Sequence, residues 1–398
     1  MFRINQRIAL LLKLFFVHFV SFVFFRILFY FNFHSLAPAF TSEEIGKALY
    51  LGTKFDIRLA LIFVAPAFLF GFIPFLNPLK KARVVWIYFY TLLFVAWLVM
   101  YASDLGHYGY LNSRVNASVL QYLHNTGISF GVIWDTYPVL KWILGMILGV
   151  VVFKWLLDNF VFNEFEHKNI SRSEQVTSYA IFVLILAGGL YGKIGWIGLR
   201  WSEAFFSQNY FISAMSLNPV LYFFDTYHYQ VPDFDEKKVR EYYHIMADYL
   251  GVPKDQQDEK TLNFKREIVN KPKLNFKPNI IVVVMESMAT AKTNLSANPL
   301  DCTPNLKKLA DESYYFDQYY VPSQGTARSM FGIMSSVPDV TSYETASRNP
   351  LINDQNVIMD YFDGYEKFYF LGGSANWAEI RSVFTNNVKD IHVVEEGQ

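Results

Sequence analysis

The chain of 398 residues is poor in cysteine, in net charge and in repeated sequence. Its one cysteine, Cys302, excludes a disulfide within the chain and says nothing firm about the redox compartment. Because 35 lysines and arginines balance 35 aspartates and glutamates, the composition argues against a nucleic-acid partner. No tract is of low complexity and no motif recurs at a fixed period, which argues against a solenoid. Hydrophobic side chains make up 53% of the residues, and their excess lies in the first half.

Five segments of that first half are apolar enough to cross a bilayer as a helix, which takes about 20 residues. They run over 8–30, 57–76, 84–101, 139–157 and 178–197. The apolar core of the first segment is too long for a cleaved signal peptide, and four more segments follow it. We therefore predict a multi-pass α-helical membrane domain over residues 1–200.

Positive side chains in the short loops predict the orientation. They cluster at the amino terminus and after the second and fourth spans, on one side of the membrane, as Arg3, Arg7, Lys80, Lys81, Arg83, Lys168 and Arg172. The positive-inside rule places this side in the cytoplasm. Everything after residue 197 is then extracytoplasmic, on a protein of the inner or plasma membrane.

Ionisable residues inside the spans are the usual sign of a transporter or channel. Lys13 and Arg26 lie near opposite ends of the first span, where they could extend to the two headgroup layers. His18 lies at mid-depth, and a hydrogen-bonded core histidine is a better interpretation than a proton relay. The pattern favours a membrane anchor over a conduit.

Residues 201–274 are predicted to link the anchor to an outer domain. The first part, 201–229, mixes aromatic and polar residues and is too polar to span, which favours helices lying in the outer interface. The second part is charged and partly helical, and Gly251-Val252-Pro253 is expected to end its helix.

The outer domain, residues 275–398, opens with a β-branched run over 280–285 that ends on Glu286-Ser287. Such a run is typical of a buried strand of a parallel sheet. A carboxylate at the carboxyl end of such a strand lies where open α/β sheets bind their ligands.

Strands and helices are expected to alternate through this domain. Thr303-Pro304 predicts a helix start with a buried apolar stripe, 327–336 is helical in pattern, and 368–371 is a second short strand. This order predicts an α/β three-layer domain.

Gly325-Thr326 places a hydroxyl at the amino-terminal end of the helix over 327–336, where backbone N–H groups and the helix dipole favour a phosphate. A threonine hydroxyl needs a base or a metal before it can act as a nucleophile. A divalent metal held by Glu286 and other ligands would supply that activation. Taken as bare motifs, a capping threonine and a half-exposed glutamate explain both residues equally well.

The motifs taken in order add a resemblance. Lys277-Pro278-Asn279-Ile280-Ile281, Met285-Glu286-Ser287, Thr303-Pro304-Asn305-Leu306 and Gln324-Gly325-Thr326 resemble the lipoteichoic acid synthase family. That family is the phosphoglycerol transferase branch of the alkaline phosphatase and sulfatase superfamily. Five spans followed by an outer catalytic domain are also similar to it.

The resemblance implies roles for four residues. Glu286 is expected to bind a metal, which is Mn²⁺ or Mg²⁺ in the family, with Zn²⁺ as a third candidate. Thr326 is expected to be the nucleophile and a second metal ligand, and Trp377 and Arg381 to bind the glycerol-phosphate group. The implied donor is phosphatidylglycerol or a related phospholipid, and the implied acceptor is a glycan or a teichoic-acid-type polymer.

The family completes its metal site with an aspartate–histidine pair beyond the position of Gln398. We therefore expect this chain to hold only the amino-terminal part of a sulfatase-like domain, so its own activity stays open. A phosphoethanolamine transferase is the close alternative, although Glu286-Ser287 and the lone Cys302 favour the phosphoglycerol branch. A sulfatase fits less well. Its modified Cys or Ser is followed two residues later by proline and two residues after that by arginine, and Ser323-Gln324-Gly325 does not supply this motif. A non-catalytic protein that binds lipid or a partner is the alternative from a different class.

Overall fold

The computed structural model describes residues 4–79, 82–120, 131, 134–135, 137–163, 170–227, 229, 235–266, 275–296, 298–321, 323–340, 345–352 and 354–396. The chain divides into two compact units. The first consists of Met1–Gln230 together with Val321–Gln398, and the second of Val231–Tyr320.

Long helices build the amino-terminal part of the first unit. They are α1 (Gln6–Phe33), α2 (Ser42–Phe70), α3 (Arg83–Leu111), α4 (Val139–Leu156) and α5 (Arg172–Tyr191). Side-chain caps fix several of their starts: Thr41 with Glu44 and Ser171 with Glu174 form capping boxes on α2 and α5.

Among the described residues, four helical segments are long and apolar enough to cross a membrane: Gln6–Leu36, Arg83–Leu111, Val139–Val161 and Arg172–Tyr191. They correspond to four of the five predicted spans. The segment predicted as the second span, 57–76, lies mostly in α2, which starts fifteen residues earlier, at Ser42. That helix is not among the four, and its middle carries Lys54, Asp56 and Arg58.

The charges of Asp56 and Arg26 are buried against each other. Arg26 does not extend to a headgroup layer, as the sequence suggested, but is only 5% exposed. Its Nε donates to Asp56 Oδ2 at 2.9 Å and its Nη2 donates to Asp56 Oδ1 at 2.7 Å. Asn218 donates to the same Oδ1 at 2.8 Å. The prediction of snorkelling was wrong because the partner lies 30 residues away, on the next helix.

His18 agrees with the prediction of a hydrogen-bonded core histidine. Its ring is fully buried, and Nδ1 lies 2.9 Å from the Leu14 carbonyl oxygen. The rings of Phe63, Tyr90 and Phe153 meet it edge-on at centroid distances of 5.4–5.6 Å.

The segment predicted to lie in the outer interface is instead packed into the helix bundle. A 3-10 helix (Trp201–Ala204) leads to α6 (Tyr210–Ser216) and α7 (Pro219–Tyr227). Phe211 and Met215 are at most 2% exposed and pack in one cluster with Phe29 and Tyr108. Burial of these aromatic side chains against α1 and α3 accounts for their density better than anchoring in lipid headgroups.

The second unit contains α8 (Glu236–Glu241), α9 (Tyr243–Tyr249) and α10 (Pro304–Asp311). The predicted stop after α9 is confirmed, since Gly251 has a φ of +73°. Helix α10 begins at Pro304 as predicted, but its apolar stripe is not buried, as Leu309 is 62% exposed.

The predicted strand over 280–285 is not formed. Its residues have no regular structure, and Ile281, Val282 and Val283 are 72–86% exposed. A buried strand needs a ladder partner on its edges and cover on both faces, and none of the described residues supplies them.

The first unit ends with α11 (Thr326–Ser335), β1 (Lys367–Phe370), α12 (Ile380–Thr385) and β2 (Ile391–Val394). Strand β1 pairs in parallel with β2, from Lys367 opposite Ile391 to Phe370 opposite Val394. Helix α11 buries Met330, Phe331 and Met334 as predicted, in one core with α12. Among the described residues this is the only sheet, so the three-layer arrangement stays a prediction.

The Arg26–Asp56 pair generates a stability prediction. Asp56→Leu should lower the free energy of unfolding by about 3–5 kcal/mol, because it leaves a buried guanidinium without its counter-charge. The combined change with Arg26→Met should cost less than the sum of the two single changes. Equilibrium unfolding in mixed micelles measures all three variants.

The matched control is Lys307→Gln, which breaks an exposed pair with Asp311 on α10 and should leave the unfolding midpoint unchanged. Additive effects of the Arg26 and Asp56 changes would contradict a coupled buried pair.

Candidate functional site

Thr326 is the first residue of α11, and the turn before it is built for glycine. Gly325 has φ +94° and ψ 138°, a conformation that side-chain-bearing residues rarely adopt. The Ser329 N–H donates to the Gly325 carbonyl at 3.1 Å, which makes Gly325 the cap of the helix. Ala327 is 2% exposed and packs the first turn of the helix against the hydrophobic core of this region. The half-buried Thr326 is thus held at the end of the helix where backbone N–H groups are left without partners inside the helix.

The loop before α11 is tied down by hydroxyl groups. Ser329 donates to the Ser323 carbonyl oxygen at 2.9 Å, and Ser323 donates to the Asp339 carbonyl oxygen at 3.4 Å. These bonds hold the Gln324-Gly325-Thr326 turn against the helix that follows it.

Glu286 lies in a turn in the second unit, and its side chain is exposed. The next residue, Ser287, has a left-handed backbone with φ 58°. Thr326 belongs to the first unit, so a shared site of Glu286 and Thr326 stays a prediction.

Trp377 and Arg381 lie together beside the carboxyl ends of the two parallel strands. Trp377 is 48% exposed and begins a 3-10 helix (Trp377–Glu379) that leads directly into α12. Arg381 donates from Nε to Asn376 Oδ1 at 2.8 Å and from Nη2 to Glu395 Oε1. An aromatic face and a guanidinium are therefore four residues apart in the chain, near the sheet edge where α/β domains bind ligands.

Glu395 is a residue of this region that the sequence analysis missed. Its Oε2 accepts the Ala375 N–H at 2.7 Å, in addition to the bond from Arg381. Burial acts to raise the pKa of Glu395, but the bonds from Arg381 and Ala375 outweigh it and hold the pKa below its usual value. The signal was present, because Glu395 directly follows a β-branched run as Glu286 does.

The region around α12 is attached to the segment that follows α5. Arg200 Nη1 donates to Glu379 Oε1 at 3.1 Å, Thr385 donates to the Phe205 carbonyl, and Gln208 donates to the Val388 carbonyl. Trp377 and Arg381 thus belong to a region that is bonded to the segment after α5. We call that segment, with its 3-10 helix Trp201–Ala204, α6 and α7, the juxtamembrane helices.

Residues 278–393 match the family model described as Sulfatase. The carboxyl-terminal part of the chain carries a Sulfatase domain. Neither the comparison with curated proteins nor that with solved structures found a match. The match supports the predicted resemblance at the level of the alkaline phosphatase and sulfatase superfamily, whose members are generally enzymes. The lipoteichoic acid synthase branch stays a hypothesis.

The Sulfatase domain implies a divalent metal, which members of this superfamily typically use. The described residues do not fit one, since no three or more histidine, cysteine, aspartate or glutamate side chains among them come together. The metal roles of Glu286 and Thr326 stay predictions.

The turn before Thr326 can be tested without an activity assay. Gly325→Ala should destabilise the domain by about 1–3 kcal/mol, because alanine is strained at this φ and ψ. A Cβ at Gly325 would meet no atom within 4 Å, so backbone strain alone sets the cost.

Gly372→Ala is the matched control, since its Cβ would also enter open space but its φ is not in the left-handed region. It should be neutral or slightly stabilising. Urea unfolding followed by limited proteolysis compares the two variants, and equal stabilities would contradict the strained turn.

Proposed function

We propose that this chain is a membrane-anchored transferase. It takes the phosphoglycerol headgroup from phosphatidylglycerol, holds it on Thr326, and passes it to a hydroxyl of an extracytoplasmic polymer or glycan. The observation that carries the proposal is the Thr326 hydroxyl at the amino-terminal end of α11, within a Sulfatase domain. At this position the helix dipole favours an anionic phosphoryl group.

The proposed reaction has two displacement steps. In the first, a bond forms between Thr326 Oγ1 and phosphorus, the bond from phosphorus to the diacylglycerol oxygen breaks, and diacylglycerol leaves with the proton of the threonine. In the second, the acceptor hydroxyl forms the new bond to phosphorus, and Thr326 recovers its proton. No redox partner is needed, and each step exchanges one phosphate ester for another.

The attachment of the domain supports a lipid donor. The contacts of Glu379 with Arg200 and of Thr385 with Phe205 hold α12 against the residues that follow α5, an apolar helix long enough to cross a membrane. A domain attached in this way would stay at a constant distance from the phosphoesters of the lipid surface. This confinement would remove part of the entropic cost of binding a lipid substrate.

Trp377 and Arg381 are the proposed headgroup-binding residues. A guanidinium suits a phosphate because its N–H groups match two oxygens at once, and an indole face packs on a glycerol backbone. Glu395 now takes the Arg381 guanidinium, so the proposal requires a phosphate to compete with this carboxylate.

The orientation and acceptor follow from the same proposal. With the amino terminus in the cytoplasm, the Sulfatase domain faces the outer leaflet of the cell membrane and the envelope beyond it. A teichoic-acid-type polymer or a glycan would supply the accepting hydroxyl there.

Thr326→Ala is the decisive change. In the protein reconstituted into phosphatidylglycerol liposomes with Mn²⁺ or Mg²⁺, it should reduce diacylglycerol release by at least about a thousandfold, as loss of a covalent nucleophile does. Intact mass spectrometry should show a phosphoglycerol adduct on the original protein and none on the variant.

Ser335→Ala is the control, because its hydroxyl lies on the same helix but at the far end, bonded to the Phe331 carbonyl. It should leave release unchanged. Release from phosphatidylethanolamine liposomes instead would point to an ethanolamine headgroup. Binding of phosphatidylglycerol with a turnover that Thr326→Ala does not change would support a lipid-binding protein.

A further inference from the structure

Four charged side chains act on one another electrostatically where the Sulfatase domain contacts the juxtamembrane helices, and the proposed transfer reaction uses none of them. Arg200 precedes the 3-10 helix Trp201–Ala204, and Asp225 lies on α7. Glu379 and Arg348 belong to the Sulfatase domain and end two short 3-10 helices. We call this group the junction cluster.

Glu379 lies at the centre of the junction cluster. It is 4% exposed, and its Oε1 accepts the bond from Arg200 at 3.1 Å. Its other oxygen, Oε2, is buried and has no hydrogen-bond partner among the described residues. A buried carboxylate oxygen without a donor disfavours the charged form of the group.

An unfavourable backbone conformation holds Glu379 in this position. Ala378 and Glu379 both have left-handed conformations, with φ values of 50° and 61°. Ser347 donates to the Ala378 carbonyl at 2.7 Å and holds the strained turn. Two successive non-glycine residues in this region cost free energy that the surrounding contacts must supply.

Charged side chains on the neighbouring elements change the pKa of Glu379. Arg200 and Arg348 favour its ionised form, and Asp225 opposes it. The other charged groups on these elements are paired elsewhere, Glu203 with Lys193 at 2.7 Å and Arg381 with Glu395.

Asp225 is the second carboxylate, half-buried on α7, and the charge of Arg200 acts on it as well as on Glu379. Arg58 and Arg200 are the cations that face it. The Arg200 side chain is 46% exposed and forms its ion pair with Glu379. Its charge favours the ionised form of both carboxylates.

We propose that Glu379 and Asp225 form a proton-binding site that controls how tightly the Sulfatase domain is held on the juxtamembrane helices. Docking is tightest when the site holds a proton and loosens when the proton is lost. The site needs no ligand other than a proton, and it does not depend on the transfer chemistry of Thr326.

Both carboxylates titrate in a physiological range. Burial raises the pKa of Glu379 to about 7, with Asp225 adding to the effect and Arg200 opposing it. Burial also raises the pKa of Asp225 to about 6, against the opposing charges of Arg58 and Arg200.

The sign of the effect differs from that of an ordinary ion pair. A carboxyl group released into water has a pKa near 4.5, so docking takes up a proton between that value and about 7. The contribution of Glu379 to docking is complete below the lower pKa and is lost as the pH rises through the upper one. A simple salt bridge between Arg200 and Glu379 would instead strengthen over the same range.

Amide hydrogen exchange of the full chain in lipid nanodiscs tests the proposal. After correction for intrinsic exchange, the amides of residues 384–388, which bond within and just after α12, should exchange about tenfold faster at pH 8 than at pH 5.5. Helix α10, whose Lys307–Asp311 pair is exposed, is the internal control and should show no change. A flat profile at residues 384–388 in the unaltered protein would overturn the proposal without any variant.

Two variants assign the effect. Glu379→Gln imitates the protonated group, and should keep residues 384–388 slowly exchanging at pH 8. Arg200→Gln removes the opposing cation, and should move the midpoint of loosening to higher pH. Glu236→Gln, at an exposed pair on α8, should match the original protein. Because Asp225 still titrates in Glu379→Gln, a smaller pH dependence should remain. A pH dependence as large as that of the original protein would refute the role of the Glu379 carboxyl group.

Discussion

The bidentate pair of Arg26 and Asp56 is the interaction on which the rest of the first unit depends. A guanidinium between apolar helices is tolerated only when its N–H groups have acceptors. Asp56 supplies two, and the carbonyl oxygens of Gly52, Met215 and Leu217 supply the others. This one side chain therefore fixes α1 against α2 and fixes the turn between α6 and α7 against both.

A second buried pair supports the same turn from the other side. Arg114 donates to Asp104 on α3 and, through Nε, to the Ala214 carbonyl oxygen at 2.9 Å. Its guanidinium also lies 3.8 Å above the ring of Phe29. The juxtamembrane helices are thus held by hydrogen bonds to buried charges and not by apolar packing alone. Because these bonds are directional, they define the position of the segment that carries the Sulfatase domain.

This construction places the part of the domain around α12 on a rigid base. The 3-10 helix Trp201–Ala204 packs with Leu51 and Phe55 of α2, and the same segment receives Glu379 and Thr385. Movement of the Trp377–Arg381 region relative to α2 would require these contacts to break. In the proposed transferase, such a connection would hold the site close to a substrate that is itself confined to a plane.

Secondary structure was predicted from the sequence more successfully than the tertiary contacts of individual side chains. The long helices and the glycine-dependent turn before Thr326 follow from local chemistry, and the structure confirms them. The Arg26–Asp56 pair and the burial of Phe211 and Met215 depend on residues far apart in the chain. A charge near a helix end and an aromatic-rich segment each allow a lipid-facing or a buried interpretation, and only the tertiary partner decides between them.

Glu286 and Glu395 show most clearly that a similar sequence context can lead to different structural surroundings. Glu286 and Glu395 each follow a β-branched run, so the sequence pattern is the same. The run before Glu395 is paired in β2, because β1 lies only 24 residues earlier and α12 connects the two strands within one local unit. The run before Glu286 has no ladder partner among the described residues, and its carboxylate is exposed. The pairing of β2 therefore fixes the position of the Glu395 carboxylate, and no such pairing in the described part of the chain fixes that of Glu286. Arg381 therefore has an acidic partner in place, and Thr326 has a glycine-dependent turn that fixes its position.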